Sequence, residues 1–175
     1  MNPNANDITG MFDSCTALNT VTLPTGFGGN ANSFAGLFSN CWNLQNVYGT
    51  IDVGNANPND WVHSIFTTQN DGMGVSQYNQ IRNIVLYNIG KYEDGMNQQI
   101  HIVAPYWGAD GRDCVIASLV THSYDRRSNG MSDISIYLNT YNPIEFTPEE
   151  LNTLSSKGYN IIQNNISMPD DQMPM

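Results

Sequence analysis

Met11-Phe12-Asp13-Ser14-Cys15-Thr16-Ala17-Leu18-Asn19-Thr20-Val21 returns 26 residues later as Leu37-Phe38-Ser39-Asn40-Cys41-Trp42-Asn43-Leu44-Gln45-Asn46-Val47. The shared frame is an apolar residue, Phe, a spacer, Ser or Asn, Cys, two spacers, Leu, two spacers and Val. A period of this length marks a chain in which each unit buries its apolar face against the next. Such chains present extended surfaces, so the repeat favours binding over catalysis.

Outward from this pair the pattern loosens to an apolar residue, two spacers, a β-branched residue, one spacer and another apolar residue. Leu18-Val21-Leu23, Ile81-Ile84-Leu86 and Met131-Ile134-Ile136 fit it, while Leu44-Val47 and Ile100-Ile102 keep half of it. The alternation closing each unit is that of a short, half-buried strand. Strand anchors at Val21, Val47, Ile84, Ile100, Ile134 and Ile161 are separated by 26, 37, 16, 34 and 27 residues. A step of 16 is short for a crossover between parallel strands, so Ile84 to Val103 reads as a hairpin turning at Lys91 to Gly95, with a short crossover left open as the alternative. Asp110 to His122 carries helix-compatible apolar spacing. Thr147-Pro148-Glu149-Glu150 predicts a helix with a capping box, with Leu151 and Leu154 as its buried stripe and Gly158 ending it. Tyr159 to Ile162 then reads as a strand.

The motif of residues 11–21, followed by Leu23-Pro24, resembles the BspA-type leucine-rich repeats of bacterial surface proteins and related phage proteins. The resemblance is specific over residues 8–54. It returns at residues 145–162, where a Thr-x-Glu-Glu helix and a Lys-Gly-aromatic strand close the chain. It implies an α/β fold: a short leucine-rich-repeat-like solenoid with a parallel sheet of short strands and helix or loop returns. The expected organisation is one repeat domain over residues 1–166, interrupted near 55–80 and 104–130, and a flexible tail over 167–175. The function it implies is adhesion to a host-cell protein or surface glycan; the alternative is a structural virion protein of a bacteriophage. Either places the chain outside the cell, on its surface or in a virion.

Composition restricts the partners. A net charge of −10, with no basic cluster beyond Arg126-Arg127, leaves nothing to neutralise a run of phosphates, so nucleic acid is not an expected partner. No apolar stretch is long enough to span a bilayer. Residues 1–6 have neither a basic n-region nor an apolar h-region, which is expected of a fragment of an exported chain or of a virion component. The repeat begins at Ile8 without a polar capping unit, so a missing segment or a partner, as in a homo-oligomer or a larger assembly, is expected to cover that end. Charged residues are only 13%, and 24 Asn take over much of the polar surface. Asn suits solenoid corners and stacked side-chain ladders, although an AT-rich genome also produces such a bias.

Cys15 and Cys41 hold equivalent positions and are expected to stack as buried free thiols, with a disulfide as the alternative. Cys114 is expected in the core. His63, His101 and His122 stand apart from any acid, base or nucleophile motif, and His101 alternates with Ile100 and Ile102 on the solvent side of its strand. Neither a cofactor nor a metal site is expected. The candidate contacts are aromatic: Trp61, Tyr78, Tyr106, Trp107 and Tyr137. Tyr and Trp among Asn and Ser offer flat area with adaptable hydrogen bonds. The competing reading is that both tryptophans pin the insertions to the core.

Overall fold

The computed structural model describes residues 6–70, 76–93 and 99–166. Strands β1 (Thr20–Thr22), β2 (Asn46–Asp52) and β5 (Asn83–Tyr87) form one parallel sheet in that order. Val21 lies opposite Val47, so the 26-residue repeat is the register of the first strand pair. The segments preceding those strands also run side by side. Gly10 N donates to Ala35 O (2.9 Å), Phe12 N to Leu37 O (3.1 Å) and Ser14 N to Ser39 O (2.9 Å). The Phe12 and Phe38 rings stack at 5.4 Å. Amide side chains bridge successive turns: Asn43 donates to Thr16 O (2.8 Å), Asn55 to Gly29 O (2.6 Å) and Asn88 to Asp52 (2.8 Å). Such bonds supply polar contact without the desolvation cost of charge. In β2, Gly49 has φ +91°, and a Cβ there would fall on the Leu23 carbonyl.

Helix α1 (Pro58–Phe66) and the hairpin β3 (Thr67–Asn70) and β4 (Ser76–Tyr78) lie between β2 and β5. The expected hairpin over Ile84 to Val103 does not form. β5 stays in the first sheet, and β6 (Gln99–Val103) opens a second parallel sheet with β7 (Ile134–Thr140) and β8 (Tyr159–Asn165). Within it Ile100, Ile136 and Ile161 are level, and Ile134 instead pairs with Tyr159. The anchor at Ile134 was therefore two residues early, on the correct face but in the wrong register.

The short step has a physical origin. The outer side of β5 meets the segment after β6 rather than another strand. Trp107 Nε1 donates to Ile84 O (2.9 Å), Gly108 N to Arg82 O (2.9 Å), Leu86 N to Ser118 Oγ (2.9 Å) and Asn88 N to His122 O (2.9 Å). Those contacts come from helix α2 (Asp113–Ile116), its π-turn Ala117–Thr121 and their flanks. They satisfy backbone groups that an open sheet edge would leave unpaired. Meanwhile β6 packs beside α1, and helix α3 (Pro148–Lys157) packs beside the π-turn. One row thus runs β1, β2, β5, α2, α3. The other runs from the segments near residues 12 and 37 through α1, joined by the Phe38 N to Ser64 O bond (3.2 Å), to β6, β7 and β8. Strands and returns exchange rows at the middle of the chain.

Apolar residues from both sheets form a single core, including Phe27, Phe34, Phe38, Phe66, Trp61 and Trp107. Three polar side chains knit the exchange point. The buried Arg126 guanidinium donates to Ser132 O (2.7 Å) and Gly90 O. Tyr159 Oη donates between Ile89 O (2.8 Å) and Tyr124 O (2.5 Å). Lys157 Nζ donates to Val120 O (2.7 Å), Thr121 O (3.1 Å) and Ser123 O (3.3 Å).

The capping box of α3 is present, with Glu150 N donating to Thr147 Oγ1 (3.2 Å) and Thr147 N to Glu150 Oε2 (2.8 Å). Leu154 is buried, but Leu151 is 45% exposed, because no further turn packs beyond α3 among the described residues. The same reason corrects the cysteine expectation. Cys41 is buried with neighbours on both sides, whereas Cys15, in the first turn, is exposed; both thiols are free. The tail over 167–175 lies outside the described residues.

Candidate binding face

Strict alternation along β6 and β7 sends Ile100, Ile102, Ile134, Ile136 and Leu138 into the core. The intervening residues face outward, and the register aligns them across three strands. One row is Gln99, Ser135, Asn160; the next is His101, Tyr137, Ile162; the third is Val103, Asn139, Asn164. Neighbouring strands lie ~4.8 Å apart, so flat side chains at level positions stack. His101 and Tyr137 do so, with centroids 4.4 Å apart and planes 6° from parallel. His101 Nε2 lies 3.2 Å from Gln99 Oε1. None of these nine positions carries Asp, Glu, Lys or Arg, although the chain's net charge is −10.

The first sheet presents a different outer face. Tyr48 is 50% exposed beside Thr22, and Tyr87 stacks on His122 at 4.1 Å. Partial burial and the Lys157 charge hold the His122 imidazole below its usual pKa, which favours the neutral ring.

Of the aromatic candidates, only Tyr137 lies on the three-row face. Trp61 and Trp107 are 1% exposed, so both pin insertions to the core and neither is a surface contact. Tyr78 ends β4, half-buried, opposite Thr67. Tyr106 is half-buried and meets Tyr141 edge-on at 5.0 Å. His101 belongs with Tyr137 and was not among the candidates. Its outward direction was readable, but anchoring on Ile134 set it opposite Ser135, and only the true register brings the rings together.

Elsewhere, Ser118, Cys41 and Cys114 have their polar atoms engaged, while Cys15 is an exposed free thiol. Ser118 Oγ donates to Cys114 O (2.6 Å) while accepting from Leu86 N. Burial pushes the Cys41 thiol up to about 11 and raises that of Cys114; their Sγ atoms donate to Phe12 O (3.0 Å) and Arg82 O (3.4 Å). Both thiols stay protonated at neutral pH. Among the described residues no three His, Cys, Asp or Glu side chains gather where they could hold a metal ion. No helix among them is long and apolar enough to cross a membrane. No family model matches the chain, and no curated protein or solved structure matches it either.

Proposed function

We propose that this chain is a non-enzymatic binding module, a short leucine-rich-repeat-like solenoid whose uncharged outer face on β6, β7 and β8 takes a neutral surface glycan. The supporting observation is the His101–Tyr137 stack at the centre of that face, framed by Gln99, Ser135, Asn139, Asn160 and Asn164. Aromatic rings offer apolar area to the C–H faces of sugars, and amides exchange hydrogen bonds with hydroxyls. A face without charge neither attracts an anionic sugar nor holds a cation. The 26-residue register and the side-by-side returns support the solenoid reading.

The test is titration of the chain with neutral oligosaccharides, chosen by array and measured by calorimetry. Tyr137→Ala is expected to weaken binding at least about tenfold with an unchanged melting temperature. Absence of saccharide binding, or equal binding by the variant, would sink the glycan assignment. A host-cell protein remains the other adhesive ligand, and a pull-down with intact cells separates the two.

The first turn supports a second reading, assembly into a virion. Met11 is 39% exposed, Cys15 is exposed, and Phe12 and Leu18 are half-buried at the outer side of that turn. If this surface builds a particle, a bulky maleimide on Cys15 blocks assembly; unaffected assembly rejects it.

A further inference from the structure

We infer that the open edge of β8 is a homodimer interface, pairing antiparallel with β8 of a second copy about a two-fold axis at Ile162. The other outer strands of the two parallel sheets are managed. β5 is covered by Trp107, Gly108 and Ser118; β6 packs beside α1; β1 is only three residues long. By contrast, β8 has seven residues, no charge, no proline and an unbroken register with β7. Among the described residues it lacks the devices that normally protect an edge from pairing.

The register of such a pairing follows from the main chain. Ile134 N donates to Gly158 O (2.9 Å) and Ile166 N to Thr140 O (3.1 Å), so the even-numbered residues of this segment bond β7. Alternation then turns the N–H and C=O groups of Tyr159, Ile161, Gln163 and Asn165 to the open side. In an antiparallel pair centred on Ile162, Ile161 opposes the partner subunit's Gln163, and Tyr159 opposes the partner subunit's Asn165. All four have main-chain groups aimed at each other, and Ile162 occupies the non-bonded central position.

The side chains are self-complementary in that register. Asn160 meets the partner subunit's Asn164 on the outer face, and Ile162 meets its own copy. Seven uncharged residues give two acidic chains a place to meet without charge repulsion. An isologous contact of this kind closes on itself as a dimer. Beside it, a groove of ≈ 360 Å³ between α3 and β8 is lined mainly by Leu151, Leu154, Tyr159, Asn160 and Ile161, with Ser155 and the carboxylate-bearing Asp133 also on its wall. Pairing joins the two sheets into six continuous strands and sets two His101–Tyr137 rows on one surface.

Light scattering of the full chain after size exclusion tests this. The expected mass is twice 19.4 kDa. Asn160 and Asn164 are both exposed, so their substitution spares the core. Asn160→Asp with Asn164→Asp sets two like-charge pairs across the axis and is expected to weaken the dimer by about 30-fold. Asn160→Asp with Asn164→Lys sets two opposite-charge pairs and retains it. A monomeric wild type overturns the proposal. Protection of the Ile161 and Gln163 amides from exchange in such a monomer would assign the edge to the chain's own tail instead. Dimers insensitive to the Asp pair also overturn it, since another surface must then hold them.

Discussion

Residues 8–54 and the region around Arg126 solve the same problem, joining one turn to the next, by opposite chemistry. In the first, equivalent residues meet: Val21 with Val47, and the Phe12 ring on Phe38. Each contact is modest, and several lie side by side, the Gly10–Ala35, Phe12–Leu37 and Ser14–Ser39 backbone bonds among them. Where strands and returns exchange rows, no equivalent residue is available. The contacts there come from single polar groups: the guanidinium of Arg126, the ammonium of Lys157 and the hydroxyl of Tyr159. A repeated interface spreads its energy over many small contacts, whereas a junction between unlike elements concentrates it in a few.

Arg126 gives the sharpest break. Its side chain is 2% exposed, and its ion partner Glu93, 3.5 Å away, is 45% exposed. Arg126→Met leaves the carbonyls of Gly90 and Ser132 without their donor, and a loss of about 3 kcal/mol is expected from denaturant unfolding. A loss as small as that of an exposed arginine would mean that the junction is held by packing alone.

Within the repeated region, the two cysteines isolate what a neighbour is worth. Cys41→Ala is expected to cost about 1 kcal/mol, and Cys15→Ala to stay within about 0.5 kcal/mol. Alkylation of the native protein should label Cys15 alone, because the Cys41 thiol is buried and raised to about 11. Equal labelling would show that the outer turns open together.

The smallest effect is electrostatic. The Arg112 guanidinium, 2.7 Å away, holds the Glu150 carboxyl below its ordinary 4.5. A carboxylate with a depressed pKa stabilises the fold above its unfolded value and loses that contribution as pH falls through the folded one. The melting temperature should therefore drop on acidification from about pH 5 to about pH 3, less steeply in Glu150→Gln. The effect is small because the pair is partly solvated.

These outcomes bear on why one region could be read from the chain and the other could not. The strand pairing near Val21 and Val47 is written twice, and the α3 cap uses local rules spanning four residues. Lys157 ends that helix by the same local rules, yet its partners Val120, Thr121 and Ser123 lie more than thirty residues upstream. Arg126 stood out in the sequence only as half of the pair Arg126-Arg127, and it is the most buried charge of the four ion pairs found among the described residues. Nothing local distinguishes it from Arg127, which is 49% exposed beside Asp133. The outer face of β6, β7 and β8 was missed by a finer margin. Both ring-bearing strands were identified, and a two-residue register error separated His101 from Tyr137.

The three carbonyls gathered around Lys157 also shape what surface chemistry the molecule permits. The chain has two lysines, and this one is half-buried with its ammonium donors engaged. Lys91 is exposed, its ammonium donating to Asn55 Oδ1 at 3.3 Å. Acylating reagents at limiting dose will thus find one side-chain amine, and a sensor surface coupled through it will hold its molecules in a common orientation.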